Sequence, residues 1–195
     1  MLQKISISSL SLMIRCRGFF YLLLALLPLV VPLQWFLAAI IAAAVHELFH
    51  YFMILATGNS VYSLELTCRG TIMHTSSMTC IQELFCALAG PAGSILLFCC
   101  YPWIPRIALC AGIQGTFNLL PIGTLDGGRI LSCLLQMYFN KDTASMIKRI
   151  IEAAVLLTVA GGIICIAEMY NSACYLLLLL LPRFLLEKFL AKKDI

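Results

Sequence analysis

Apolar residues run almost without interruption from Leu33 to Ala56, and His46, Glu47 and His50 stand inside that run. About 20 apolar residues suffice to cross a bilayer, so the run predicts a helix of full spanning length. Similar windows recur at roughly 18–32, 83–101, 104–122, 150–168 and 173–190, which makes six predicted spans. Turn chemistry separates them. Pro28 and Pro32 close the first, Thr57-Gly58-Asn59 stops the second, and Pro102 and Pro105 mark the turn from the third into the fourth. After a glycine-rich break, a shorter helix is predicted over roughly 129–139.

One stretch has a different period. In Tyr62-Ser63-Leu64-Glu65-Leu66-Thr67-Cys68, apolar and polar residues alternate, as in a half-buried strand; Arg69-Gly70 can turn, and Thr71 to His74 can return. This predicts a β-hairpin within 59–80. It is either a connecting loop packed on the bundle or a sheet edge that receives an extended peptide by strand addition. The expected fold is therefore an all-α polytopic membrane protein of about six transmembrane helices with a small β-hairpin, forming one domain over 1–195. The short polar N-terminus, residues 1–17, can form an amphipathic surface helix.

Composition agrees with that class. The chain is 62% hydrophobic and 11% charged, with a mean hydropathy of +1.00, whereas soluble domains are roughly 45–50% apolar and about 25% charged. No sizeable soluble domain fits beside six spans, and nothing suggests a nucleic-acid partner. The ten cysteines form no CxxC pair, and most fall within predicted spans, where they are expected to be reduced and to pack as small hydrophobes.

The distribution of the +4 net charge sets orientation. If the N-terminus, with Lys4, Arg15 and Arg17, is cytoplasmic, six spans also put Arg69, Arg129, Lys141, Lys148, Arg149, Lys188, Lys192 and Lys193 on that side. Arg106 falls opposite. The expectation is a multi-pass cell-membrane protein whose hairpin, N-terminus and tail (188–195) are cytoplasmic. His46 then lies about 20 Å along the second span and His50 roughly 9 Å from its cytoplasmic end.

Histidines four apart on a helix lie about 40° out of phase and can share one metal, while Glu47 can reach a water beside it. Imidazole donors favour zinc. A catalytic zinc needs a third protein ligand and an open position. The candidate is Asp126, in Asn118-Leu-Leu-Pro121-Ile-Gly-Thr-Leu-Asp126-Gly127-Gly128-Arg129, at a compatible depth. Taken alone, Asp126 reads better as a surface turn residue capping the next helix. Two histidines and a glutamate hydrogen-bonded to neighbouring helices would be the plain reading of the first cluster, but polar groups in a span are costly to keep for packing. His74 reads as a strand or surface histidine, and Glu83, Glu152 and Glu168 as residues near span ends.

Taken together, HELFH in the second span and NLLPIGTLDGGRI after the fourth closely resemble the site-2 proteases, intramembrane zinc metalloproteases, and look most like their sporulation-type bacterial branch. The resemblance implies zinc ligation by His46, His50 and Asp126, with Glu47 as general base. It implies a role for Asn118 in holding the substrate backbone. Ala89-Gly90-Pro91 resembles the family's Gly-Pro motif, and Ser94 stands where the family usually has Asn. The sequence ends at Ile195, so regulation through the CBS domain common in that branch is not expected.

The implied activity is cleavage of membrane-embedded or membrane-associated proteins near the cytoplasmic face, in regulated intramembrane proteolysis. A regulatory membrane partner or a homo-oligomer is compatible with it. The alternative is a non-catalytic metal-binding membrane module or pseudoprotease that binds clients, which requires some element of the machinery to be missing.

Overall fold

Helix α1 (Leu33–Ala56) has the length predicted for the second span, and its packing is inside out. Its buried residues are Ala38, Ala42, His46, His50 and Ile54, one every four positions. Leu33, Leu37, Ile41, Leu48, Phe52 and Leu55 are exposed. A soluble helix would bury the large apolar residues; here small and polar side chains face the neighbours and large ones face outward, as in helices packed within lipid. The coordinates, a computed structural model, describe residues 13–16, 27–29, 31–67, 70–123 and 125–170. The predicted first span (18–32) lies mostly, and the sixth span and tail entirely, outside the described residues.

The chain divides into two compact units, Met1–Asn140 and Lys141–Ile195. In the first, α1 ends at the predicted stop. Gly58 takes a φ of +79°, its N–H donates to Leu55 O, and that of Asn59 donates to Ile54 O. This double bond pattern satisfies the last carbonyls and turns the chain out of the helix. Two residues later β2 (Val61–Thr67) begins, pairing antiparallel with β3 (Gly70–Thr75). Ser76 clamps the base of the hairpin, its Oγ donating to Asn59 Oδ1 and accepting from Ser60 N–H.

The sheet is larger than the predicted hairpin. Met13–Cys16 forms strand β1, parallel to β2 with Ile14 opposite Leu64 and Arg15 opposite Glu65, so the order is β1-β2-β3. These four residues are strand, not part of an amphipathic surface helix, because pairing across some fifty residues supplies hydrogen bonds that local sequence does not reveal. Strand β3 is an edge among the described residues.

Helix α2 (Cys80–Cys99) starts at a capping box in which Thr79 and Gln82 satisfy each other's backbone N–H groups. The Gln82 side chain also donates to Thr57 O, tying the start of α2 to the end of α1. Cys86, Ala87, Ala89, Gly90, Pro91, Gly93 and Ser94 are buried on α2, a small-residue face that allows backbones to approach closely. Helix α3 (Pro105–Asn118) packs against both α1 and α2, and α4 (Asp126–Tyr138) packs against α2. Helix α4 begins at Asp126, three residues earlier than the periodicity suggests.

In the second unit a single helix, α5 (Lys141–Tyr170), covers the predicted fifth span. Because it begins at Lys141, Glu152 lies well inside it and is buried rather than snorkelling from an end. Among the described residues, α1 and α2 meet the length and hydropathy expected of membrane spans.

Substituting Gly58 by Ala should destabilise the protein by about 1–2 kcal/mol, the usual penalty for a side chain in left-handed backbone. Unfolding in mixed detergent micelles would measure it. An unchanged midpoint would show that the stop does not depend on that conformation.

Candidate metal centre

Two elements bring His46, His50 and Asp126 together. Helical spacing places the two imidazoles on one face of α1, and α4 presents Asp126 in its first turn, where the helix dipole favours a carboxylate. All three are buried. Asp126 Oδ2 lies 3.0 Å from His46 Nε2 and 3.1 Å from His50 Nε2, and the two nitrogens are 3.2 Å apart. The sides of this triangle approach the roughly 3.3 Å expected between donors that each stand about 2.0–2.1 Å from a tetrahedral zinc.

The remaining ring nitrogens say what the inner ones can do. His50 Nδ1 is 2.7 Å from Cys86 O. A carbonyl only accepts, so Nδ1 carries the proton and Nε2 presents a lone pair. His46 Nδ1 is 2.9 Å from Ser94 Oγ, which can accept in the same way. Two lone pairs and a carboxylate oxygen then converge on one point, an arrangement that is repulsive until a cation sits among them. The donor set fits a divalent metal of the zinc type.

Glycines make the convergence possible. A methyl on Gly90 would overlap His50 Nε2 and stand 2.6 Å from His46 Nε2, so the α2 backbone itself forms the floor of the centre. A methyl on Gly127 would run into the Leu119 and Leu120 carbonyls, and one on Gly128 into that of Ile122. The 119–125 loop therefore folds tightly over the start of α4, and the double glycine after Asp126 is what lets it close.

The centre opens into a cavity of about 410 Å³. Glu47 lines it beside Thr71 of β3. Asn118 lines it too, with Nδ2 3.1 Å from His46 Nε2. The five residues singled out in the sequence are thus gathered at one place. Arg129, also in the wall, lies 3.8 Å from Asp126 Oδ1 and 3.5 Å from Glu83.

His74 stays out of this group. It sits on β3, half exposed and 3.8 Å from Glu65. The cavity lining is mixed: Ile54, Met73, Met78 and Leu125 contribute apolar surface, and α3 contributes the amides of Gln114 and Asn118.

Gln114 escaped sequence reasoning, although its position four residues before Asn118 in an apolar helix was the available signal. Its amide finds no protein partner among the described residues. The Cys86 carbonyl was invisible because a backbone acceptor leaves no mark on residue type.

Comparison with known proteins bears on the same residues. Residues 103–162 match the family model of Peptidase family M50, a stretch that contains Asn118 and Asp126 but not the two histidines. No curated protein matches the chain. The fold is similar to that of the site-2 protease from Methanocaldococcus jannaschii, with a TM-score of 0.61 at 20% identity over 86% of this chain and 86% of that one.

Replacing Gly90 by Ala should eliminate stoichiometric metal while leaving the helical circular dichroism intact, which elemental analysis of the purified protein would show. Full metal occupancy in that variant would mean the centre is built differently.

Proposed function

We propose that the protein is an intramembrane zinc metalloendopeptidase that hydrolyses peptide bonds of membrane-embedded or membrane-associated proteins near the cytoplasmic face, in regulated intramembrane proteolysis. One observation carries the reading. Two imidazole nitrogens and a carboxylate oxygen converge beside Glu47, and the helix holding three of these four residues is apolar enough to span a bilayer. The lysine and arginine distribution supports six spans with cytoplasmic termini, and the chain as a whole is read as one protease domain.

His46, His50 and Asp126 would hold the zinc, which supplies Lewis acidity toward the scissile carbonyl and toward water when bound. Glu47, with its carboxylate in the cavity, takes the proton of the attacking water and returns it to the leaving amine. Asn118 and Gln114 line one wall with amide donors and acceptors suited to a substrate backbone. Thr71, Ile72, Met73 and Thr75 of β3 contribute to the lining of the same cavity. That favours the hairpin as a receiving edge, since an unwound segment laid along β3 gains backbone hydrogen bonds that hydrocarbon does not offer. The apolar residues Ile54, Met73, Met78 and Leu125 would receive side chains of that segment, and methionine adapts to varied apolar shapes.

Glu47→Gln should retain stoichiometric zinc and lose cleavage by at least about a hundredfold, the usual share of a general base. Mass spectrometry of membrane proteins that accumulate with the variant and are cut with the wild type would read it. A variant that still cuts sinks the hydrolase mechanism, and a zinc-loaded wild type that cuts nothing favours the client-binding alternative. Gln114→Leu should leave zinc content unchanged and slow cleavage by roughly tenfold, about the worth of one hydrogen bond to a backbone. Unchanged kinetics would remove Gln114 from the substrate path.

A further inference from the structure

Helix α2 also reaches the outer ring nitrogen of His46, and it does so through Ser94, which does not line the cavity. That residue is 1% exposed. Its Oγ is 2.9 Å from His46 Nδ1, and its other flank lies against α3, where a methyl on Gly115 would stand 2.7 Å from Ser94 Cβ and 3.3 Å from Oγ. Ser94 is therefore wedged between an imidazole on α1 and a glycine on α3.

We infer that Ser94 is the positioning residue of the metal centre. Its hydroxyl accepts the His46 Nδ1 proton, and its short side chain sets how closely α3 approaches. The inference rests on the zinc reading above and extends it to a residue that touches neither metal nor substrate.

The two histidines are not held alike. His50 faces a carbonyl, which accepts and never donates, so its tautomer is fixed by the backbone. His46 faces a hydroxyl, which can donate or accept. Only the accepting orientation leaves Nε2 unprotonated toward His50 Nε2 and Asp126. Alanine at 94 leaves Nδ1–H buried without an acceptor, so the ring gains by moving its proton to Nε2 or by turning, and either competes with metal.

The glycine contact adds a second constraint. Asn118 lies three residues beyond Gly115 on α3 and comes within 3.1 Å of His46 Nε2. The contact that seats Ser94 therefore also fixes how far Asn118 stands from the centre.

The test measures zinc affinity of the full chain in detergent micelles by competition with a chromophoric chelator. Ser94→Ala should weaken zinc binding by about 10–100-fold, the usual effect of losing an outer partner of a ligating histidine, and nitrogen-15 NMR of the variant should show His46 no longer protonated at Nδ1. A Ser94→Ala protein that binds zinc as tightly as wild type, or that keeps the His46 proton on Nδ1, overturns the assignment. Should Ser94→Ala not fold, nitrogen-15 NMR of the wild-type histidines decides. His46 protonated at Nδ1 in the zinc-loaded protein supports the role, and a proton absent from Nδ1 overturns it. A wild type that holds no zinc would overturn the metal reading itself, an outcome distinct from tight binding by Ser94→Ala.

Discussion

The approach of the α2 backbone to two imidazoles is the contact on which the centre depends. Gly90 occupies the space where any side chain would displace His46 and His50, and the buried face around it is built from Cys86, Ala87, Ala89, Gly93 and Ser94. In lipid no hydrophobic force drives helices together, so packing and buried hydrogen bonds must do it. The small face supplies the packing. The hydrogen bonds run from the histidines to Ser94 and to the Cys86 carbonyl. The chemistry and the helix–helix interface are thus made by the same residues, which accounts for the inverted burial of α1.

How far the sequence revealed this depended on whether a feature was local. The four-residue spacing of His46 and His50, the stop at Gly58 and the alternation in β2 are each written within a few residues, and each is found in the structure. Asp126 was legible through its neighbours, since the glycines after it exist to let the loop close. Strand β1 was not legible, because its partner is some fifty positions away. Ser94 attracted notice as a departure from the usual residue, but its contact with His46 spans 48 positions and emerges from helix packing. The early start of α4 was hidden for a related reason, since glycines at 127 and 128 read as a break until the loop folded over them is seen.

The cavity joins three kinds of surface that a membrane rarely brings together. Amides on α3, a β3 edge that is unpaired among the described residues, and apolar residues including two methionines surround the Glu47 carboxylate and the His46, His50 and Asp126 triad. A substrate helix leaving the lipid gives up its internal backbone hydrogen bonds, which is costly in hydrocarbon. On the proposed function, the polar residues of the lining would offset that cost where the chain is extended.

Only Asn59 and Ser60 separate the left-handed turn after α1 from the first residue of β2. The histidine helix and the central strand are consequently one continuous lever with a stiff elbow. Tension applied to β3 passes through the hairpin ladder to β2, and from there into the last turn of α1, six residues beyond His50. On the proposed function, a segment paired with β3 would be joined through β2 to the helix that bears the imidazoles, so holding the substrate and aligning the ligands would share one path through the chain.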